Sequence, residues 1–126
     1  MKKKIISLTM AITILFSATA QYSVSAATLA GSFSGGTSIS LSRTCIWGGG
    51  YYRKTSWAQT KGYSGRHYVR AYVGGTTNDP TNAWVDSGRV WSSGDVVASA
   101  TTGEVYVNAN TVPKAVFPTG YAKYGN

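Results

Sequence analysis

Catalysis needs groups that move protons, attack carbon or hold metal, set close together. This chain of 126 residues offers few: His67 is its one histidine, Cys45 its one cysteine, and Asp79, Asp86, Asp95 and Glu104 are its four acids. It contains no HExxH, Walker or EF-hand pattern. GSFSG at 31–35 spaces its glycines as a nucleophile elbow does, but Phe33 stands where serine is required. His67 shares a strand face with Val69 and reads as a packed structural side chain. Asp86 and Asp95 flank the 89–91 stretch and suit either a carboxylate pair or turn capping in their DSG and SGD settings. Cys45 has no internal partner and no Cys/His cluster for metal. Within SLSRTCIW it reads as a buried thiol, with an intermolecular disulfide as the alternative. The expectation is a non-enzyme with no catalytic residues, no metal site and no cofactor.

Binding chemistry is better represented. Successive side chains of an extended segment face opposite ways. In YYRKTSWAQT, Tyr51, Arg53, Thr55 and Trp57 then share one side; in HYVRAYV, Tyr68, Arg70 and Tyr72 stand opposite His67, Val69, Ala71 and Val73. The short connection KGYSGR is expected to return the second run antiparallel beside the first, with cross-strand neighbours about 5 Å apart. Such a hairpin gathers Tyr51, Arg53, Trp57, Tyr68, Arg70 and Tyr72 on one sheet face as the candidate ligand-binding site. Aromatic rings stack on sugar or base faces, and guanidinium forks take phosphate in bidentate fashion. The plain alternative is a solvated face on which Tyr and Arg cover the sheet without a partner.

The charge distribution favours an anionic partner. The net charge is +8, and Arg43, Arg53, Lys54, Lys61, Arg66 and Arg70 all precede the first acid, Asp79. A basic half-domain suits phosphate-rich wall polymers, lipid headgroups or nucleic acid, although mild basicity also serves solubility alone.

The elements that must position these residues follow from the pattern. MKKKIISLTMAITILFSATAQYSVSAA has a lysine-rich start, an apolar run at 5–16 and small residues before Ala20 and Ala26, the two candidate cleavage positions. The apolar run is shorter than the roughly 20 residues a spanning helix needs. A cleaved signal peptide at 1–26 is expected, which makes the protein secreted and extracellular, from a Gram-positive source, with no transmembrane segment in the mature chain. Export also removes it from most nucleic acid, which is not expected as a partner. Residues 27–37 read as a flexible Gly/Ser-rich arm. Residues 38–126 show no helical spacing, only short β-branched and aromatic runs between Gly, Asn, Asp, Ser and Pro. They predict a single all-β domain, a small β-sandwich or partly open barrel of antiparallel strands.

Strands are predicted near 38–46, 51–60, 67–73, 83–86, 89–91, 95–101, 104–107 and 115–124. Thr102-Gly103 suits a tight hairpin turn. Residues 74–80 read as the main loop, and Pro113 and Pro118 bracket an edge strand or strap. The expected core is Ile39, Leu41, Val69, Val73, Val85, Val90, Val97, Val105 and Val107, supported by Trp47, Trp57, Trp84 and Trp91.

HYVRAYVGG, then DSGRVWSSGDVVASAT, then a closing GYAKYGN is similar in order to the non-pore-forming lactococcin type of bacteriocin, and CIWGGGYY resembles the Trp and Gly/Tyr-rich start of that family. The resemblance covers about residues 45–126. It implies a small secreted β-rich antibacterial protein that needs no cofactor, engages the anionic, sugar-bearing wall precursor lipid II of Gram-positive bacteria, and blocks septum building. Two other functions use the same features. One is a non-toxic wall- or glycan-binding accessory protein. The other is an extracellular matrix protein that self-associates through exposed β edges.

Overall fold

A computed structural model describes residues 20–24 and 31–126 of the protein. The elements are β1 (Ala20–Val24), β2 (Ser32–Thr44), β3 (Gly50–Lys61), β4 (His67–Thr76), β5 (Asp79–Asp86), β6 (Val90–Ser92), β7 (Val96–Thr101), β8 (Val105–Val107), a 3-10 turn (Pro113–Ala115) and β9 (Gly120–Gly125). One sheet runs β1-β9-β4-β5 with β6 also beside β4; the other runs β2-β3-β7 with β8 also beside β3. Every pairing is antiparallel except that of β1 with β9. The fold is the expected all-β sandwich. The signal peptide expected at 1–26 lies outside the described residues except at Ala20–Val24, whose backbone pairs with Gly120–Tyr124.

Period-2 alternation decides which side chains face inward. β3 buries Lys54, Ser56, Ala58 and Thr60, and β4 buries His67, Val69, Ala71 and Val73. The core of Phe33, Ala58, Tyr63, Val69, Ala71, Ala98, Ala122 and Tyr124 mixes small alanines with large rings. The alanines let the sheets approach closely: a Cβ on Gly120 in β9 would collide with Thr37 of the facing sheet. The large interior positions are taken by Phe33, Tyr63 and Tyr124. Of the expected core, Val69, Val73 and Val107 are buried, Ile39, Val85, Val90 and Val105 are half-buried, and Leu41 and Val97 face solvent. Trp47, Trp84 and Trp91 are exposed, and Trp57 is half-buried on an outer face.

The expected β3–β4 hairpin does not form. Both edges of β3 are taken, by β2 on one side and by β7 and β8 on the other, while β4 is flanked by β9 and by β5 and β6. Residues 62–66 therefore cross from one sheet to the other. His67 fixes that crossing: its Nδ1 donates to the Gly65 carbonyl at 2.6 Å, and its Nε2 lies 2.8 Å from the Thr60 hydroxyl of the facing sheet. Tyr63 plugs the end of the sandwich, its ring edge-on to His67.

Other boundaries shift for local reasons. Residues 32–37, expected in a flexible arm, form the first half of β2 because Phe33 is anchored in the core. Residues 74–80 are not a loop: β4 continues to Thr76, and β5 starts at Asp79 after a two-residue turn. Gly74 and Gly75, at φ 92° and 75°, absorb the register shifts of that pair. Thr102-Gly103 is not a hairpin either, since β7 and β8 both run antiparallel to β3. Thr102 interrupts that shared edge: its N–H donates to the Lys54 carbonyl and its hydroxyl accepts from the Lys54 N–H. Pro113 opens the 3-10 turn, so the proline-bracketed piece is a strap.

Candidate ligand-binding surface

The six residues expected on one face divide between two. Tyr51, Arg53 and Trp57 lie on the outer face of the β2-β3-β7 sheet, and Tyr68, Arg70 and Tyr72 on the outer face of the other. Inward alternation in each strand puts the whole sandwich between the two sets.

Several members are also already engaged. Arg70 grips Asp86 with two bonds, Nε to Oδ1 at 2.9 Å and Nη2 to Oδ2 at 2.5 Å, which hold the Asp86 carboxyl below its ordinary range. Tyr72 is buried, stacks on Tyr121, and donates its hydroxyl to the carbonyls of Thr76 and Thr77 at 2.6 and 2.9 Å. Tyr51 packs edge-on to Tyr106, beneath the Arg43 guanidinium. Arg53 is exposed, and its Nη1 reaches the Thr102 carbonyl at 3.3 Å. Nor do Asp86 and Asp95 pair, since Asp95 accepts from the Gly62 N–H instead.

Arg70→Ser is therefore expected to act on the fold. Asp86 is exposed, so losing the pair should cost no more than about 1 kcal/mol, seen as a slightly lower urea midpoint. An unchanged midpoint would show that the pair contributes nothing to stability.

Tyr68 belongs to a different constellation. It pairs in register with Trp91 of β6, and their ring centroids are 5.0 Å apart. The Arg66 guanidinium lies 4.6 Å over the Trp91 ring, and the Arg89 guanidinium 4.8 Å over the Tyr68 ring. Each arginine stands two residues before an aromatic, Arg66 before Tyr68 and Arg89 before Trp91, so period 2 puts each pair on one side of its strand. Antiparallel pairing then crosses them, and each cation covers the other strand's ring. Neither arginine has an ion-pair partner among the described residues, in contrast to Arg43 and Arg70. Both are exposed, and Trp91 leaves 39% of its surface in solvent. The result is a Tyr68–Trp91 ring pair capped by two guanidiniums with donors to spare. That arrangement suits a ligand carrying phosphate or another oxyanion, with the exposed part of Trp91 beside it.

Sequence reading named Tyr68 as a site residue on a different face, missed Arg66 and Arg89 as its neighbours, and assigned Trp91 to the core. The repeated Arg-x-aromatic spacing was the available signal, and it acquires meaning only when β6 is known to pair with β4.

The outer face of the other sheet has different chemistry. Trp57 lies in register between Gly36 and Ser99, with Ser34, Ser38, Thr55, Gln59 and Thr101 around it. The middle of that face carries hydroxyls and no charge. Among the described residues, no three of His, Cys, Asp and Glu converge as a metal site, and no helix is long and apolar enough to cross a membrane. No protein-family model, curated protein or solved structure matches this chain.

Proposed function

We propose that this is a secreted, non-catalytic, bacteriocin-like antibacterial protein that binds an anionic, sugar-bearing component of the Gram-positive envelope, either lipid II or a wall polymer. The observation that carries the binding is the Arg66–Trp91–Tyr68–Arg89 cluster, with two exposed cations free of carboxylates and held beside an exposed indole. The antibacterial outcome follows the lactococcin-type resemblance, in which a wall precursor is the target.

A charge-assisted hydrogen bond contributes about 1.5 to 3 kcal/mol. Changing Arg66 and Arg89 together to Ser is therefore expected to weaken retention on lipid II-bearing vesicles, or on an isolated anionic wall polymer, by on the order of a hundredfold. Growth inhibition of Gram-positive cells should fall in parallel. Exposed cation–π contacts contribute only about 0.5 to 1 kcal/mol each, so the variant should stay folded. Undiminished binding by the folded variant would sink the role given to this cluster.

A second reading has its own observation. The uncharged, hydroxyl-lined face around Trp57 suits a neutral glycan and fits a wall-binding accessory protein. Loss of wall retention in Trp57→Ala, with the arginine variant unaffected, would favour it.

A further inference from the structure

The turn joining β2 to β3 carries two apolar side chains that the fold does not use. Gly48 N–H donates to the Cys45 carbonyl at 3.1 Å and Cys45 N–H to the Gly49 carbonyl at 3.3 Å, while Gly48 and Gly49 take φ of 106° and 70°. This tight closure pushes the two intervening side chains outward. Ile46 is 99% exposed and Trp47 73% exposed. Scattered surface apolar residues are ordinary, but two large ones side by side on a projecting tip, in water almost throughout, are not.

The surroundings are layered. Leu41 lies against Gly50 at the base of the tip, the Tyr106 hydroxyl lies 3.5 Å from the Gly48 carbonyl, and Ala109 stands beside Gly48 and Gly49. Leu41 and Tyr106 are themselves exposed. Behind this collar come Arg43, stacked on Tyr51, and Arg53, which has no carboxylate bonded to it. The nearby acid, Glu104, is engaged by Ser42 and Arg43. An apolar tip, an aromatic and aliphatic collar, and cations behind follow the order of acyl chain, interface and anionic headgroup. An indole, with one polar edge on an apolar body, is favoured at that boundary.

We propose that the β2–β3 tip is a lipid-docking element that seats Ile46 and Trp47 at the headgroup–acyl boundary of an anionic bilayer, with Arg43 and Arg53 against the headgroup phosphates. Docking of this kind lies on the membrane without spanning it. It does not depend on the ligand proposed for the arginine cluster, because a bare vesicle contains neither lipid II nor wall polymer.

The test uses the purified protein with vesicles of phosphatidylglycerol and, separately, phosphatidylcholine. Co-sedimentation is combined with quenching of tryptophan fluorescence by acyl-brominated lipids. The protein should bind phosphatidylglycerol more tightly than phosphatidylcholine, with quenching. The double substitution Ile46→Ser and Trp47→Ser should lower vesicle binding at least tenfold and abolish the quenching. Arg53→Ser should lower binding to phosphatidylglycerol severalfold and leave phosphatidylcholine binding unchanged. All three side chains are exposed, so an unchanged urea midpoint shows that each variant is folded. Undiminished binding by the double variant would overturn the proposal, as would no vesicle binding by the parent. So would a dimer that the double variant loses without any lipid quenching, because the tip would then serve a second copy.

Discussion

Replacing Phe33 by Ala is expected to remove about 3 to 5 kcal/mol of stability, a large share of the roughly 5 to 15 kcal/mol that holds a small domain folded. Phe33 is fully buried, and its ring meets Tyr124 at 4.5 Å. Tyr124 in turn meets Tyr63 at 5.8 Å, and Tyr63 meets His67 at 5.1 Å. This run of rings joins β2, β9, the 62–66 crossing and β4, so truncation at Phe33 opens a cavity in the core. The urea midpoint should fall markedly. In Trp91→Ala the lost ring lies at the surface, and the midpoint should move much less. A fully stable Phe33→Ala protein would show that β2 is not anchored by this ring and would restore the reading of residues 31–37 as an arm.

That contrast shows where sequence is informative for this chain. Strand positions were legible because alternation and turn residues are local: the 67–73 run has the inward set His67, Val69, Ala71 and Val73 that its spacing predicts. Partnership between strands was not. The connection KGYSGR is short enough for a hairpin and serves equally as a crossing, and the choice is made by Tyr63 and His67 packing against residues far away in sequence. The core was misjudged for a related reason. Tryptophan is favoured inside when there is volume for it, but here alanines from both sheets set the spacing. The indoles lie outside instead, where Trp47, Trp57 and Trp91 supply features of the proposed binding surfaces.

The two proposed surfaces lie toward opposite ends of the sandwich. Gly50 adjoins the lipid-docking tip, whereas Thr60 contacts His67, next to Arg66 and Tyr68. At about 3.3 Å per residue, the stretch of β3 between them is on the order of 30 Å long. A molecule seated on its tip therefore holds the arginine cluster well clear of the headgroups, within reach of wall polymer. A molecule gripping the pyrophosphate of lipid II by that cluster holds its tip away from the same bilayer. Binding with lipid II and with polymer measured separately, and with the tip variant alongside, distinguishes the two postures.

Raising the pH is expected to unfold the protein between about pH 10 and 12. Tyr63, Tyr72 and Tyr124 are buried, and burial pushes all three hydroxyls up, Tyr72 to about 12. Unfolded tyrosines ionise near 10.0. Below that pH the three are neutral in both states, and their stabilising contribution is fully present. Above it the unfolded chain gives up protons that the folded chain retains, so stability falls until the folded values are reached. Each tyrosine loses up to about 1.4 kcal/mol per pH unit across its window, and the losses add where the windows overlap. Lys54 works in the opposite direction at lower pH. Burial, and then the nearby Lys114, lower its pKa below the ordinary 10.5, so the unfolded state holds its proton longer and stability rises as pH climbs through that gap. A shallow rise should therefore precede the steep fall. Tyr72→Phe removes one titrating group, while the Thr76 and Thr77 carbonyls it releases lie at an exposed hairpin tip where water can replace the hydroxyl. That variant should hold its urea midpoint to higher pH than the parent. If both lose stability over the same pH range, Tyr72 is not one of the groups that drive alkaline unfolding.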